Sequence, residues 1–332
     1  MLLRQNSFLP GLHRVQRTIK QSITDKGKFM KPMKNILRIF ATVVIGLLLA
    51  QNVAFAQEEE VTEKPKERPA RAAFESGLLF DGATTTLQPS KTLEMVIQHR
   101  FGSIENGITD LYGIWAPSNI RMGLNYSILD NLMVGIGATK FNKMQDIQLK
   151  YNVLQQTRSN KIPVTISVYE VIGIDGSADS KFGKNYKFTN RLSYFTQILI
   201  SRRFNDKISL QVAPSFTHYN STDSLVDHDR FAISVAGRFK FSPQSSLIIS
   251  GDFPLQIQGI SEYRKDVNDT QDLPPVANIC VGLEVATSTH AFHVYLGSSQ
   301  GIIPQENILY NKNDFFKGNI ILGLNITRLW NF

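Results

Sequence analysis

From residue 92 to the end of the chain, apolar and polar side chains alternate with a period of two, the spacing of strands with one dry and one wet face. Ile120, Met122, Leu124, Tyr126 and Ile128 alternate with Arg121, Gly123, Asn125 and Ser127. Ile147, Leu149, Tyr151 and Val153 alternate with Asp146, Gln148, Lys150 and Asn152. The apolar sets Ile208, Leu210, Val212, Phe216 and Phe231, Ile233, Val235, Phe239, Phe241 repeat the pattern. It predicts twelve strands, at 92–102, 118–128, 132–141, 146–156, 162–174, 190–204, 208–219, 230–241, 246–257, 276–286, 290–298 and 317–332, with no helical periodicity among them. Most reach the ~9–11 residues that a tilted strand needs to cross a bilayer.

A soluble β-sandwich or jelly roll alternates in the same way, with its apolar face turned inward, but the connections separate the two. Every second connection is tight: Leu129–Asn131, Thr157–Lys161, Asn205–Lys207, Ser242–Ser245 and Thr287–Thr289. The others, Ser103–Pro117, Gly176–Thr189, Asn220–Asp229, Gln258–Pro275 and Ser299–Phe316, are long and polar, and only Asn142–Gln145 is short. The expected class is therefore all-β: a transmembrane up-and-down antiparallel β-barrel of about 12 strands, with short periplasmic turns and longer outer loops. Half of each barrel strand faces water, so a mean hydropathy of −0.13 does not argue against a membrane span. Phe101, Phe141, Phe204, Phe239, Phe241, Trp330 and Phe332 gather near strand ends, as interfacial aromatic girdles do.

The final segment places Ile320, Leu322, Leu324, Ile326, Trp330 and Phe332 on one face, with Arg328 as the one charge among them. It resembles the C-terminal targeting strand of outer-membrane β-barrels. The resemblance implies that Trp330 and Phe332 form an assembly signal read by the barrel-assembly machinery.

At the front, the basic stretch Met33–Arg38 runs into the apolar segment Ile39–Ala50 and then Ala54-Phe55-Ala56. This is the layout of a secretory signal peptide at 33–56, cleaved before Gln57. The apolar run of twelve residues falls short of the ~20 that a spanning helix needs. Residues 1–32 read as a mis-assigned start or a leader extension, and 57–73, charged and Pro-containing, as a flexible periplasmic leader. Residues 74–91 form a lead-in segment long enough to fold back and partly block the barrel mouth, and 92–332 form the barrel itself. The expected location is the outer membrane of a Gram-negative bacterium.

The signal assignment changes the meaning of the charge. Of 36 basic and 28 acidic residues, nine and one fall within residues 1–56, which leaves 27 of each. The pI of about 9.4 thus belongs to the leader, and a nucleic-acid partner loses its support. Cys280 is the only cysteine, so no intramolecular disulfide holds the fold.

Candidate chemistry was sought at strand ends and on the inward register. His218 and Ser221 are three apart and fall on opposite faces of a strand, unlike the nucleophile and base of outer-membrane phospholipases, which stand two apart on one face. His290 and His293, also three apart, do not form a single-strand metal clamp. Asp223, Asp227, His228 and Asp229 read as a solvated loop, and His99 as an interfacial or bulged residue. No catalytic residue, metal or cofactor is expected. The inward register carries Glu94, Arg100, Arg121, Asp146, Lys150, Arg191, Arg203, Arg238, Lys240, Asp252 and Glu284, seven basic and four acidic groups. They suit either a lumen plugged and knit by ion pairs, with the arginines facing Glu94, Asp146, Asp252 and Glu284, or a narrow anion-preferring pore.

Four segments, Phe74–Leu79, Ile97–Gly102, Gly113–Gly123 and Gly135–Lys143, are similar to a family of Gram-negative outer-membrane β-barrel proteins classified only as a domain of unknown function. The likeness spans roughly residues 74–332. It implies the barrel fold and location and carries no catalytic residue. The expected protein is a monomeric, non-enzymatic barrel: a narrow channel, a carrier or a structural envelope protein. Its expected partners are outer-membrane lipid, the assembly machinery and an unidentified solute or envelope component. The alternatives are a barrel enzyme acting on lipid or peptide, and a barrel that docks a partner or polysaccharide through its outer loops.

Overall fold

In the computed structural model, residues 67–223, 226–257, 260 and 275–332 are described. The proposed signal peptide, with Ala54, Ala56 and Gln57, and the first part of the leader lie outside them. A small hairpin comes first, β1 (Leu78–Leu79) and β2 (Gly82–Ala83). Twelve long strands follow: β3 (Thr92–Ser103), β4 (Asn119–Leu129), β5 (Leu132–Thr139), β6 (Gln145–Leu154), β7 (Thr165–Ile174), β8 (Leu192–Arg203), β9 (Ile208–Tyr219), β10 (Asp229–Lys240), β11 (Ser245–Pro254), β12 (Asn278–Ala286), β13 (His290–Gly297) and β14 (Ile321–Asn331). Each pairs antiparallel with its chain neighbours, and β14 closes on β3 through Leu324 opposite His99 and Asn331 opposite Thr92. Closure leaves no sheet edge, the condition for strands to survive in hydrocarbon. All twelve expected strands are present, and both ends of the barrel sequence lie at the end with the tight turns.

The alternation resolves into two walls. Outward positions such as Met122 and Ile136, 60% and 61% exposed, are apolar, while inward Arg100 and Glu284 are fully buried. The molecule is thus polar inside and apolar outside, the inverse of a soluble barrel. Phe141, Phe204, Phe239 and Phe241 are exposed near strand ends, as the girdle reading requires.

Two segments fill the lumen. From the turn end, the lead-in segment enters just after the leader residues Pro69 and Ala70, which are tied to the β6–β7 connection by a Pro69–Thr157 bridge and a 2.7 Å bond from Ala70 N to Gln156 O. It then carries the β1–β2 hairpin inward, burying Phe74, Leu79 and Phe80 against Ala236, Ile248, Cys280 and Tyr295. From the loop end, the β13–β14 connection sends in a helix, α1 (Pro304–Tyr310). Its Ile308 joins a second cluster with Ala83, Tyr169, Val171, Phe195 and Leu199. The α1 helix was not anticipated in the sequence, because seven residues are too few to show a helical period. The lead-in segment also blocks more than the mouth expected of it, because its hairpin lies within the barrel.

Candidate functional site

The lower lumen is an ionic lattice organised on the hairpin. The Asp81 carboxylate, at the hairpin turn, pairs with the Arg100 guanidinium. It also accepts from Asn278 Nδ2 at 2.8 Å and Tyr295 Oη at 3.2 Å. The Phe80 carbonyl accepts from Arg100 at 3.2 Å and Asn325 Nδ2 at 2.7 Å. The Phe80 ring stacks on Tyr295 with centroids 4.3 Å apart. Tyr295 fits there because Gly323 faces it: a Cβ at Gly323 would stand 2.2 Å from the ring. Nearer the turn end, Glu75 takes Arg238 at 2.9 Å and Lys240 at 2.7 Å. Lys150 Nζ donates to the carbonyls of Gly77 at 2.9 Å and Thr84 at 3.0 Å, clasping the two arms of the hairpin. Voids of about 20 Å³ each remain beside it, room for a single water apiece.

The expected pairing of wall arginines with wall carboxylates holds for one pair. Arg121 donates twice to Asp146, at 2.8 and 2.7 Å, across Gly137, where a Cβ would stand 2.2 Å from the guanidinium. The other pairings are corrected. Glu94 accepts from Asn125, Asp252 from Ser234 and Asn278, and Glu284 contacts His293 Nε2 at 3.1 Å. Arg100 and Arg238 find their carboxylates on the lead-in segment. Arg191 and Arg203 do not line the middle of the lumen; they sit at its two mouths, paired with Asp179 and Asp206. Strand parity gives the face of a residue but not which residue lies opposite it across a barrel, so the roles of Glu75 and Asp81 were missed. The signal that could have found them is two acids, Glu75 and Asp81, in a short apolar segment leading into a wall rich in arginine.

The upper lumen differs. Between α1 and the long connections lies a vestibule of about 710 Å³. Phe141, Phe182 and Tyr310 supply aromatic surface, and Asn142, Asn190, Asn311 and Asn313 supply amides. Lys181 bridges Asp175 at 2.7 Å and Asn142 at 3.0 Å. Burial raises the Asp175 pKa, but the Lys181 and Ser177 hydrogen bonds outweigh it and hold this carboxyl below its usual range. Glu306, on α1 at the vestibule floor, is 4% exposed. Its Oε2 has no partner, nor do the side-chain amide atoms of Gln305 or Nδ2 of Asn307. Burial pushes the Glu306 pKa up to about 7. No residue of α1 had been singled out in the sequence.

The remaining candidates fall as their parity predicted. His293 points inward and His290 lies at the turn end, beside Arg328 at 3.3 Å. His99 packs outward on Phe101. His218 faces outward at the loop end, its ring nitrogens 2.7 Å from Asp229 Oδ1 and 2.9 Å from Asn220 Oδ1; neither partner is a nucleophilic hydroxyl. No group of three or more metal-binding side chains occurs among the described residues.

The family described as membrane bound beta barrel domain (DUF5777) matches residues 74–330. The chain belongs to this family. The match takes in both the wall and the hairpin, so the lead-in segment is part of the family's domain. Comparison of the sequence with functionally curated proteins finds no match. Among solved structures, the chain is similar to LpxR from Salmonella typhimurium, with 11% identity, 73% of this chain and 100% of that chain covered, and a TM-score of 0.36. It is also similar to outer membrane phospholipase A from Escherichia coli, at 10% identity, 73% and 91% coverage and TM-score 0.38. A Pseudomonas aeruginosa FadL homologue gives 8% identity, 71% and 90% coverage and TM-score 0.37. These likenesses assign no function to the chain.

Proposed function

We propose that this member of the DUF5777 family is a non-enzymatic outer-membrane β-barrel that captures a small polar solute in its loop-end vestibule and does not conduct ions. The observation that carries the reading is the filled lumen below an open vestibule. A hairpin fixed by Asp81–Arg100, Glu75–Arg238 and the Lys150 clasp occupies the path that a channel would need. The vestibule, at about 710 Å³, has the size of a small-molecule site. Its surface is aromatic and amide-rich, and Lys181 and Arg191 are already paired with acids. That balance favours a neutral, hydroxyl-bearing solute, whose donors and acceptors match amides and whose ring faces match aromatics.

Planar-bilayer recording tests conduction, and titration with neutral oligosaccharides, followed by Tyr310 fluorescence or calorimetry, tests capture. The expected result is a silent bilayer and saturable binding that weakens about tenfold in Tyr310→Ala. A steady open conductance in the wild type would overturn the reading. Placement in the outer membrane is supported by the family's description as a membrane-bound β-barrel domain and by the signal-like segment. Removal of Trp330-Asn331-Phe332 is expected to abolish the heat-modifiable folded form on gels.

A further inference from the structure

The outward wall contains one feature out of keeping with a lipid face. Among the described residues, Glu170 is the only carboxylate on the outward register of a strand interior; the other outward acid, Asp229, is the first residue of β10. Glu170 is the sixth of ten residues in β7, with Val168 and Ile166 toward the turn end and Ile172 and Ile174 toward the loop end. Two outward positions on either side amount to roughly 13 Å of strand each way, which puts the carboxyl near the middle of the apolar band. Leu149 of β6 stands opposite it on one side and Thr196 of β8 on the other. Thr196 Oγ1 donates to Glu170 Oε2 at 2.6 Å. Around it on the outward face Leu149, Val168, Ile172 and Ile198 are hydrocarbon, and Tyr151 and Tyr194 stand at the diagonal positions.

A carboxyl in hydrocarbon is costly unless it is neutral and hydrogen-bonded, and on a barrel's lipid face it is tolerated least at the midplane. A neutral carboxyl has one O–H to give and one C=O to receive. A second carboxyl facing it across a two-fold axis satisfies both at once. Twofold symmetry brings each residue on the axis to its own copy, so a second copy of this chain supplies that partner with no further assumption about its sequence. A different protein would have to present a complementary polar group at the same depth.

We propose that the β7–β8 face is a homodimer interface, with two copies meeting across Glu170 and Thr196 and sealing both carboxyls from lipid. The flanking residues Leu149, Ile172, Ile198 and Ile200 are exposed at 36–39% and form the apolar surround of the contact. This replaces the expectation of a monomer and is independent of the vestibule reading, since the interface lies on the opposite side of the wall from the lumen.

The test is the mass of full-length protein in detergent and in lipid nanodiscs, by light scattering and by cross-linking at limiting dilution. The wild type is expected to be dimeric. Glu170→Leu, which removes the polar group and leaves a better lipid face, is expected to weaken dimerisation at least tenfold while keeping the heat-modifiable fold. Glu170→Gln, whose amide also pairs with its own copy, is expected to stay dimeric. Thr196→Cys is expected to form an intermolecular disulfide on mild oxidation, whereas a cysteine at Val294, outward on β13 across the barrel, is not. A wild type that is monomeric at every protein-to-lipid ratio, an undiminished dimer in Glu170→Leu, or cross-linking of Thr196→Cys only to a different membrane protein would each overturn the proposal. Should Glu170→Leu fail to fold, the Thr196→Cys and Val294→Cys pair decides the question alone.

Discussion

The hairpin and α1 enter the same lumen from opposite ends, yet they are held by different physics. Around the hairpin the main charges are matched: Asp81 with Arg100, Glu75 with Arg238 and Lys240, Lys150 with two carbonyls. Around α1 the buried side-chain oxygens and nitrogens of Gln305, Glu306 and Asn307 are largely without partners, and attachment rests on Ile302, Ile303, Ile308 and Leu309, each 1% exposed. Satisfied buried polar networks fix one arrangement, whereas unsatisfied groups subtract from the stability of the state that buries them. The hairpin lattice leaves Arg100 Nε and Arg238 Nε and Nη2 without partners, but both of its carboxylates are paired, so the hairpin is expected to be the more firmly held part of the plug and α1 the more readily released. That division suits a vestibule whose floor responds to a ligand above a seal that does not.

The largest expected effect comes from breaking the hairpin lattice. Arg100→Met removes the cation from Asp81 and leaves its carboxylate with Asn278, Tyr295 and Cys280. Stranding one member of a buried pair costs about 3–5 kcal/mol, so the temperature at which the folded gel form disappears should fall sharply. The double change Arg100→Met with Asp81→Leu should recover much of the loss, because both charges are then gone. A single variant as stable as the wild type would mean that the lattice does not hold the hairpin.

How far these differences could be read from sequence follows from what a period of two reports. It reports faces, so the twelve strands, the lipid wall and the inward position of Arg100, Arg121 and Glu284 were all legible. It does not report what lies across a barrel. Glu75 and Asp81 were hidden in a segment without strand periodicity, although Asp81-Gly82 marked a turn. The inward apolar residues Tyr169, Val171, Phe195 and Leu199 carried a usable hint, since β7 and β8 are apolar on both faces and something dry must lie inside them. α1 was illegible because a single buried turn in a polar connection has neither length nor amphipathic spacing. Glu170 stands in the sequence as a break in the outward row of β7, but a period of two does not show that Thr196 bonds it.

An intermediate effect is expected from pH at α1. Burial holds Glu306 at about 7 against an ordinary value of 4.5, so the docked helix binds a proton that the released helix would lose. Between those values the docked state carries more protons and docking weakens as pH rises, by on the order of 3 kcal/mol across the interval. Below about 4.5 docking is at its strongest, and above about 7 the weakening is complete. Asp175 stays ionised throughout because Lys181 holds its carboxyl low, and Tyr310 is shifted upward, away from this range. Amide exchange over residues 302–310, corrected for its intrinsic pH dependence, should accelerate from pH 5 to pH 8 while the hairpin remains protected. Glu306→Gln should flatten the profile. Equal pH sensitivity in hairpin and helix would erase the distinction between them.

The smallest effect gives the sharpest contrast, because the same kind of substitution should change sign between the two regions. Asn278 donates to Asp81 and Asp252 and accepts from Ser298 and the Ser299 amide; Asn278→Leu leaves these groups short of partners and should destabilise by about 2–3 kcal/mol. Gln305 is fully buried, and neither of its amide atoms has a partner. A Cβ at Gly173 would stand 3.2 Å from its Nε2, so the amide rests against a β7 glycine that offers no side-chain group to bond. Gln305→Met keeps the length and shape of the side chain and removes a desolvated amide, and should stabilise the docked helix by about 1 kcal/mol. The measurements are the thermal midpoint of the folded gel form for Asn278→Leu and exchange at 302–310 for Gln305→Met. Loss of protection in the methionine variant would show that Gln305 is bonded when the helix is docked, and would place α1 with the hairpin as a fixed part of the plug.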